Sequence, residues 1–136
     1  MPTAIQRIFV ADDDAEMRAL LAEQLRASGY EVFELCDGVK LLERMQEVRG
    51  RPLERPDVII TDVRMPGHSG LEVLAALRRA GCTTPVVLIT AFGDQRLHDN
   101  AKWLGAAAVL NKPFDVDELR ATLLTLRLCS VKRAAE

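Results

Sequence analysis

The chain has 136 residues, 49% of them hydrophobic and 28% charged, a length and composition from which one domain folds around a core without disulfide or metal staples. Eighteen basic against twenty acidic residues leave a formal charge of -2, which excludes a whole-domain electrostatic affinity for nucleic acid, and no apolar run nears the roughly 18 residues that cross a bilayer. With no secretory signal in view, the expectation is a single cytoplasmic domain over 1–136, its core at about 7–129 and 131–136 a frayed tail or the start of a linker, with no membrane and no direct nucleic-acid contact.

Taken in order, Arg7-Ile8-Phe9-Val10-Ala11 is a short apolar strand closed by Asp12-Asp13-Asp14, and Ala15 to Ser28 carries Met17, Leu20, Leu21 and Leu25 at helical spacing. Gly29 ends that helix, Tyr30 to Leu35 alternates as a second strand, and Asp37-Gly38 turns into a helix bearing Leu41, Leu42, Met45 and Val48. Gly50 to Pro56, with two prolines and three charges, is a surface connection. Val58-Ile59-Ile60 then reads as a strand buried on both faces, ending at Asp62 because Met65-Pro66-Gly67 must turn the chain. Leu71 to Ala80 is a third helix, Val86 to Thr90 a fully apolar strand ending in a hydroxyl, and Asp94 to Leu104 a more polar helix. Ala106 to Asn111 is the fifth strand, ending at Lys112-Pro113, and Val116 to about Ser130 is a last amphipathic helix with Leu119, Leu123 and Leu126 on its apolar face. Five near-continuous apolar strands alternating with five helices predict an α/β domain: a three-layer, doubly wound parallel sheet covered on both faces.

Open sheets of this kind place their chemistry outside the carboxyl ends of the strands. The first strand delivers Asp12, Asp13 and Asp14 to that edge, the third Asp62, the fourth Thr90 and the fifth Lys112, while the second ends in Leu35-Cys36 and delivers nothing of that kind. Carboxylates gathered on one edge repel one another unless a cation sits between them, and hard oxygen donors suit Mg²⁺ with a phosphate group as a further ligand. A hydroxyl and an ammonium complete a phosphoryl clamp in which one carboxylate can itself attack phosphorus. Asp62, alone at the end of the central strand, is the candidate nucleophile; Asp12 and Asp13 are better placed to share a metal. Asp14 reads as a cap of the first helix. Cys36, Cys82 and Cys129, far apart and outside any CxxC spacing, read as small hydrophobes, and His68 and His98 as solvated or capping residues.

Val10-Ala11-Asp12-Asp13-Asp14, Asp62-Val63-Arg64-Met65-Pro66-Gly67 with Gly70, Thr90-Ala91 and Lys112-Pro113-Phe114 resemble, in this order and over Ile8 to Leu128, the receiver domain of two-component response regulators. The resemblance implies the flavodoxin-like strand order 2-1-3-4-5, the order cited for this fold family. It implies that Asp62 is a phosphoacceptor for a histidine kinase or histidine phosphotransfer protein, in a signalling domain rather than a turnover enzyme. Mg²⁺, with Mn²⁺ as a substitute, would be held by Asp13, Asp62 and the backbone carbonyl of Arg64, with Asp12 acting through water. Lys112 would pair with the phosphate through a cis Lys112-Pro113 junction, and Thr90 would move to remodel the face made by the fourth helix, fifth strand and fifth helix, the face through which a homodimer is also implied. Where the family usually has an aromatic switch residue, three before the lysine, this chain has Val109, so coupling is expected through the backbone after Thr90, Phe92, or the fourth helix with Trp103. Arg64 and Phe92 stand where family members tune water access, and are expected to shield an acyl phosphate. With no output segment after Leu128, the chain reads as a stand-alone receiver or one cut from a longer regulator or hybrid kinase.

Three other readings compete. A phosphohydrolase of the haloacid-dehalogenase type needs a second aspartate two residues after the nucleophile, where this chain has Arg64. A flavodoxin needs a phosphate-cradling loop that Asp12 to Asp14 cannot form. A module of the same fold that binds partners without phosphorylation is the third.

Overall fold

The three inner strands are apolar on both sides because each side has its own helical layer to meet. Ile8 and Val10, Val58 and Ile60, and Val87 and Ile89 pack with Leu21, Leu25, Leu119 and Leu123 in one layer. The alternate residues Phe9, Ile59 and Leu88 pack with Leu41, Met45, Val73 and Leu74 in the other. In this computed structural model the described residues are 5–91 and 93–135, with side chains described as far as Leu126.

The elements alternate throughout: β1 (Arg7–Ala11), α1 (Ala15–Ala27), β2 (Glu31–Leu35), α2 (Gly38–Glu47), β3 (Val58–Asp62), α3 (Gly70–Arg79), β4 (Val86–Thr90), α4 (Gln95–Trp103), β5 (Ala108–Asn111) and α5 (Val116–Ala135). The five strands form one sheet in the order β2-β1-β3-β4-β5, every pair parallel, as expected from the resemblance. Gly29, Gly81 and Gly105 follow α1, α3 and α4 with φ of 97°, 81° and 92°, the left-handed geometry that ends a helix cheaply only at glycine.

Two details differ from the sequence reading. On α1 the buried residues are Leu21, Ala22 and Leu25, while Met17 and Leu20 are exposed. At about 100° per residue, packing Leu21 and Leu25 inward turns Leu20 aside. The last helix continues past Ser130 to Ala135, since Val131 to Ala135 contains no glycine or proline to stop it. Cys129, expected as a small hydrophobe, has its side chain outside the described residues, and Glu136 of the expected frayed tail lies outside them as well.

The turn after β3 is held closely. The Gly70 N–H donates to the Val63 carbonyl at 2.8 Å, bringing the start of α3 back against the end of β3. A Cβ at Gly70 would lie 2.5 Å from the Asp62 carbonyl oxygen and 3.1 Å from Val63 Cα, both backbone atoms that cannot swing away. Gly70→Ala is therefore expected to lower stability by about 1–3 kcal/mol, read as a reduced urea midpoint at unchanged m-value. An unshifted midpoint would show that the turn yields without strain.

Candidate functional site

Strand register decides which residues meet. Ala11 pairs with Thr61, so Asp12 and Asp62, each one residue further on, stand side by side, and Thr90 pairs with Asn111, so Lys112 follows at the same edge. Lys112 Nζ donates to Asp62 Oδ2 at 2.9 Å and lies 3.7 Å from Asp12 Oδ2. Carboxylate oxygens of Asp12, Asp13 and Asp62 all lie within 4.8 Å of one another. The expected residues Asp12, Asp13, Asp62 and Lys112 thus share one cluster, with Thr90 buried at the end of the neighbouring strand. Asp14 stands apart and caps α1, its carboxylate accepting from the N–H groups of Glu16 and Met17.

The cluster is graded in exposure. Asp12 is buried, Asp62 and Lys112 are half-buried and Asp13 is exposed. Burial pushes the Asp12 carboxyl above its ordinary pKa, and the charges of Asp62 and Asp13 push it the same way; the Asp14 N–H, donating to Oδ1 at 3.0 Å, and Lys112 only partly oppose this. For Lys112, burial works against the ammonium, but the hydrogen bond to Asp62 and the charges of Asp62 and Asp12 prevail and raise its pKa. Three carboxylates face one ammonium, all donors are hard oxygens, and the group opens to solvent at Asp13. That donor set fits a divalent hard cation such as Mg²⁺.

The residues after β3 and β5 are held by the backbone. The Arg64 N–H donates to Asp62 Oδ1 at 3.1 Å, fixing one carboxylate oxygen while Lys112 holds the other. The Lys112-Pro113 bond is cis, as the resemblance implied. Val109 is half-buried and packs on the layer that contains Leu88 and Ala101. Trp103, at the end of α4, is 90% exposed, whereas Phe92 lies outside the described residues.

Two contributions were not legible in the sequence. His98, read there as solvated or capping, is half-buried on α4, and its Nε2 lies 3.2 Å from Asn111 Oδ1 on β5, the residue paired with Thr90. Gly93 makes room for this contact: a Cβ there would collide with Asn111 Oδ1 and lie 2.8 Å from Thr90 Cγ2. Only its position between Thr90 and the helix start hinted at a close approach. The second strand also contributes indirectly. Glu34 on β2 lies 3.4 Å from both Arg18 Nε and Arg26 Nη1, and Arg18 Nη1 donates to the Asp12 carbonyl at 2.7 Å. No local pattern links Arg18 to Asp12; the helix has to dock first.

Comparison with known proteins agrees with this geometry. Residues 8–124 match the family described as response regulator receiver domain. The chain is 32% identical over 115 residues to sporulation initiation phosphotransferase F of Bacillus subtilis, covering 85% of this chain and 88% of that one. It is 39% identical over 136 residues to the transcriptional regulatory protein FixJ of Azorhizobium caulinodans, covering all of this chain but 59% of the relative's length. Among solved structures, the response regulator TrrA of Thermotoga maritima, in complex with Mg²⁺-BeF, superposes with a TM-score of 0.77 at 32% identity, over 90% of this chain and 99% of that one. Family match, fold and strand-end cluster agree, and the chain belongs to the receiver domains of two-component response regulators.

Proposed function

We propose that Asp62 is a phosphoacceptor that takes a phosphoryl group from a histidine kinase or a histidine phosphotransfer protein, in a signalling domain that switches its α4-β5-α5 face. The observation that carries this reading is the Asp62 carboxylate, with Lys112 Nζ 2.9 Å from one oxygen and the Arg64 N–H 3.1 Å from the other, beside Asp12 and Asp13. The two donors orient the carboxylate before any substrate arrives. As phosphoryl charge accumulates, Lys112 shifts from the carboxylate to a phosphoryl oxygen and Thr90 donates to another. Asp13, Asp62 and the Arg64 carbonyl would hold Mg²⁺, with Asp12 acting through water, and the ion when bound supplies charge neutralisation at the phosphoryl oxygens; Mn²⁺ has the same donor preference.

Transmission to the output face runs, in this reading, through Thr90, Asn111 and His98. Val109 is aliphatic and lacks the bulk and polar handle with which an aromatic side chain would report the position of Thr90. The Asn111 amide touches the Gly93 turn behind Thr90 on one side and the His98 ring on the other, so an inward movement of Thr90 changes what holds α4 to β5. A homodimer through α4 and α5 would use that same face.

Three outcomes test this reading. Beryllofluoride, an acyl-phosphate mimic, should shift the amide signals of Arg64, Thr90 and Asn111 only when Mg²⁺ is present, and Asp62→Asn should abolish the response; a silent wild-type spectrum favours a module that works without phosphorylation. Asn111→Ala should keep the beryllofluoride response at Arg64 but lose most of the shift across Gln95–Trp103, whereas an undiminished α4 response places the coupling elsewhere. Folding raises the Asp12 pKa, so at neutral pH the ionised carboxylate is less favourable in the fold than in the unfolded chain and subtracts from stability. In chelator, Asp12→Asn should consequently raise Tm, and Mg²⁺ should then stabilise the wild type more than the variant. A variant less stable in chelator contradicts the charge argument.

A further inference from the structure

At the opposite end of the sheet from Asp62, a cavity of about 400 Å³ opens between α2, α3 and the loops that lead into β3 and β4. Its volume lies within the range of small-molecule sites. Its apolar side is formed by Leu42 and Met45 on α2 and Leu77 on α3, and space is left between the helices where Ala76 of α3 and Ala80, the residue that caps it, present only methyl groups.

The polar side is cationic. Arg49 and Arg55 border the cavity, and neither guanidinium has an ion pair or a hydrogen bond among the described residues. Elsewhere Arg7, Arg26, Arg44, Arg51 and Arg120 each lie within 3.4 Å of a carboxylate. Arg79 and Arg96, also without an ion pair or hydrogen bond among the described residues, do not border the cavity. The wall formed by the β4 approach is built in advance. Arg78 Nη1 donates to the carbonyls of Cys82 and Thr84 at 2.9 and 3.0 Å, and Nη2 to that of Gly105 at 3.1 Å. A ligand therefore does not have to order this loop, which removes one cost of binding.

We propose that this cavity binds a small carboxylate with an apolar body, its chain against Leu42, Met45 and Leu77 and its head at Arg49 and Arg55. An apolar body answers the leucines and the methionine, and a planar carboxylate matches the donor fork of a guanidinium better than a neutral head does. The site is independent of the strand-end cluster and does not rest on the phosphoacceptor reading.

The test uses octanoate as the carboxylate and 1-octanol as its neutral counterpart, followed by amide chemical shifts of the full chain. Octanoate should cause saturable shifts within Leu42–Arg49, Arg55–Asp57 and Leu77–Thr84, with 1-octanol about tenfold weaker or more. Arg49→Gln with Arg55→Gln should weaken octanoate by about tenfold and leave 1-octanol unchanged, while Arg96→Gln, an exposed control on α4, changes neither. Because all three arginines are exposed, the variants should keep the wild-type spectrum elsewhere. The proposal is overturned if octanoate gives no saturable shift, if the shifts fall outside these segments, if both probes bind equally, or if the double variant binds octanoate as the wild type does.

Discussion

Like charges forced together at the end of a buried sheet dominate this molecule. Parallel pairing of β1 with β3 leaves Asp12 and Asp62 on adjacent strand ends, and the next turn adds Asp13. One ammonium, Lys112, is placed among them by β5 and its junction with Pro113. Burial first, and then the charges of Asp62 and Asp13, make Asp12 resist ionisation, and the donor set fits further positive charge. Much of the surrounding detail serves to keep these side chains in place. The Arg64 and Asp14 N–H groups hold single carboxylate oxygens, Gly70 lets α3 start directly against the Asp62 backbone, and Arg18 fixes the Asp12 carbonyl.

The sheet separates chemistry from support. Its carboxyl end carries every acid of the cluster, whereas the loops at its other end fasten strands and leave a cationic, apolar cavity. At that other end the Asp57 carboxylate accepts from the Gln6 and Arg7 N–H groups and ties the approach to β3 to the start of β1. At the same end as Asp62, Thr90, Asn111 and His98 lie in sequence from strand to strand to helix.

The fold and the cluster were largely legible in the chain. Val58-Ile59-Ile60 and Val86 to Ile89 are apolar on both faces, a pattern that parallel strands between two helical layers require. Asp12, Asp13, Asp62 and Lys112 each follow a strand, so their delivery to one edge of the sheet follows from its parallel direction. Less legible was the placement of residues whose partner lies on another element. Leu20 has the spacing of a core residue and is exposed, because α1 rotates to bury Leu21 and Leu25. His98 carried no local signal of its bond to Asn111, and Arg18 none of its hold on Asp12.

By itself, then, the sequence determined the order and kind of the elements and the chemical character of each strand end, since periodicity, turn residues and strand-terminal acids are local properties. Tertiary structure alone decided the register that sets Asp12 beside Asp62, the rotation of α1, and the side-chain bridges from β2 and α4 to the site. It also opened the cavity bordered by Arg49 and Arg55. These depend on how whole helices dock on the sheet, where packing energy summed over many residues outweighs the preference of any one of them.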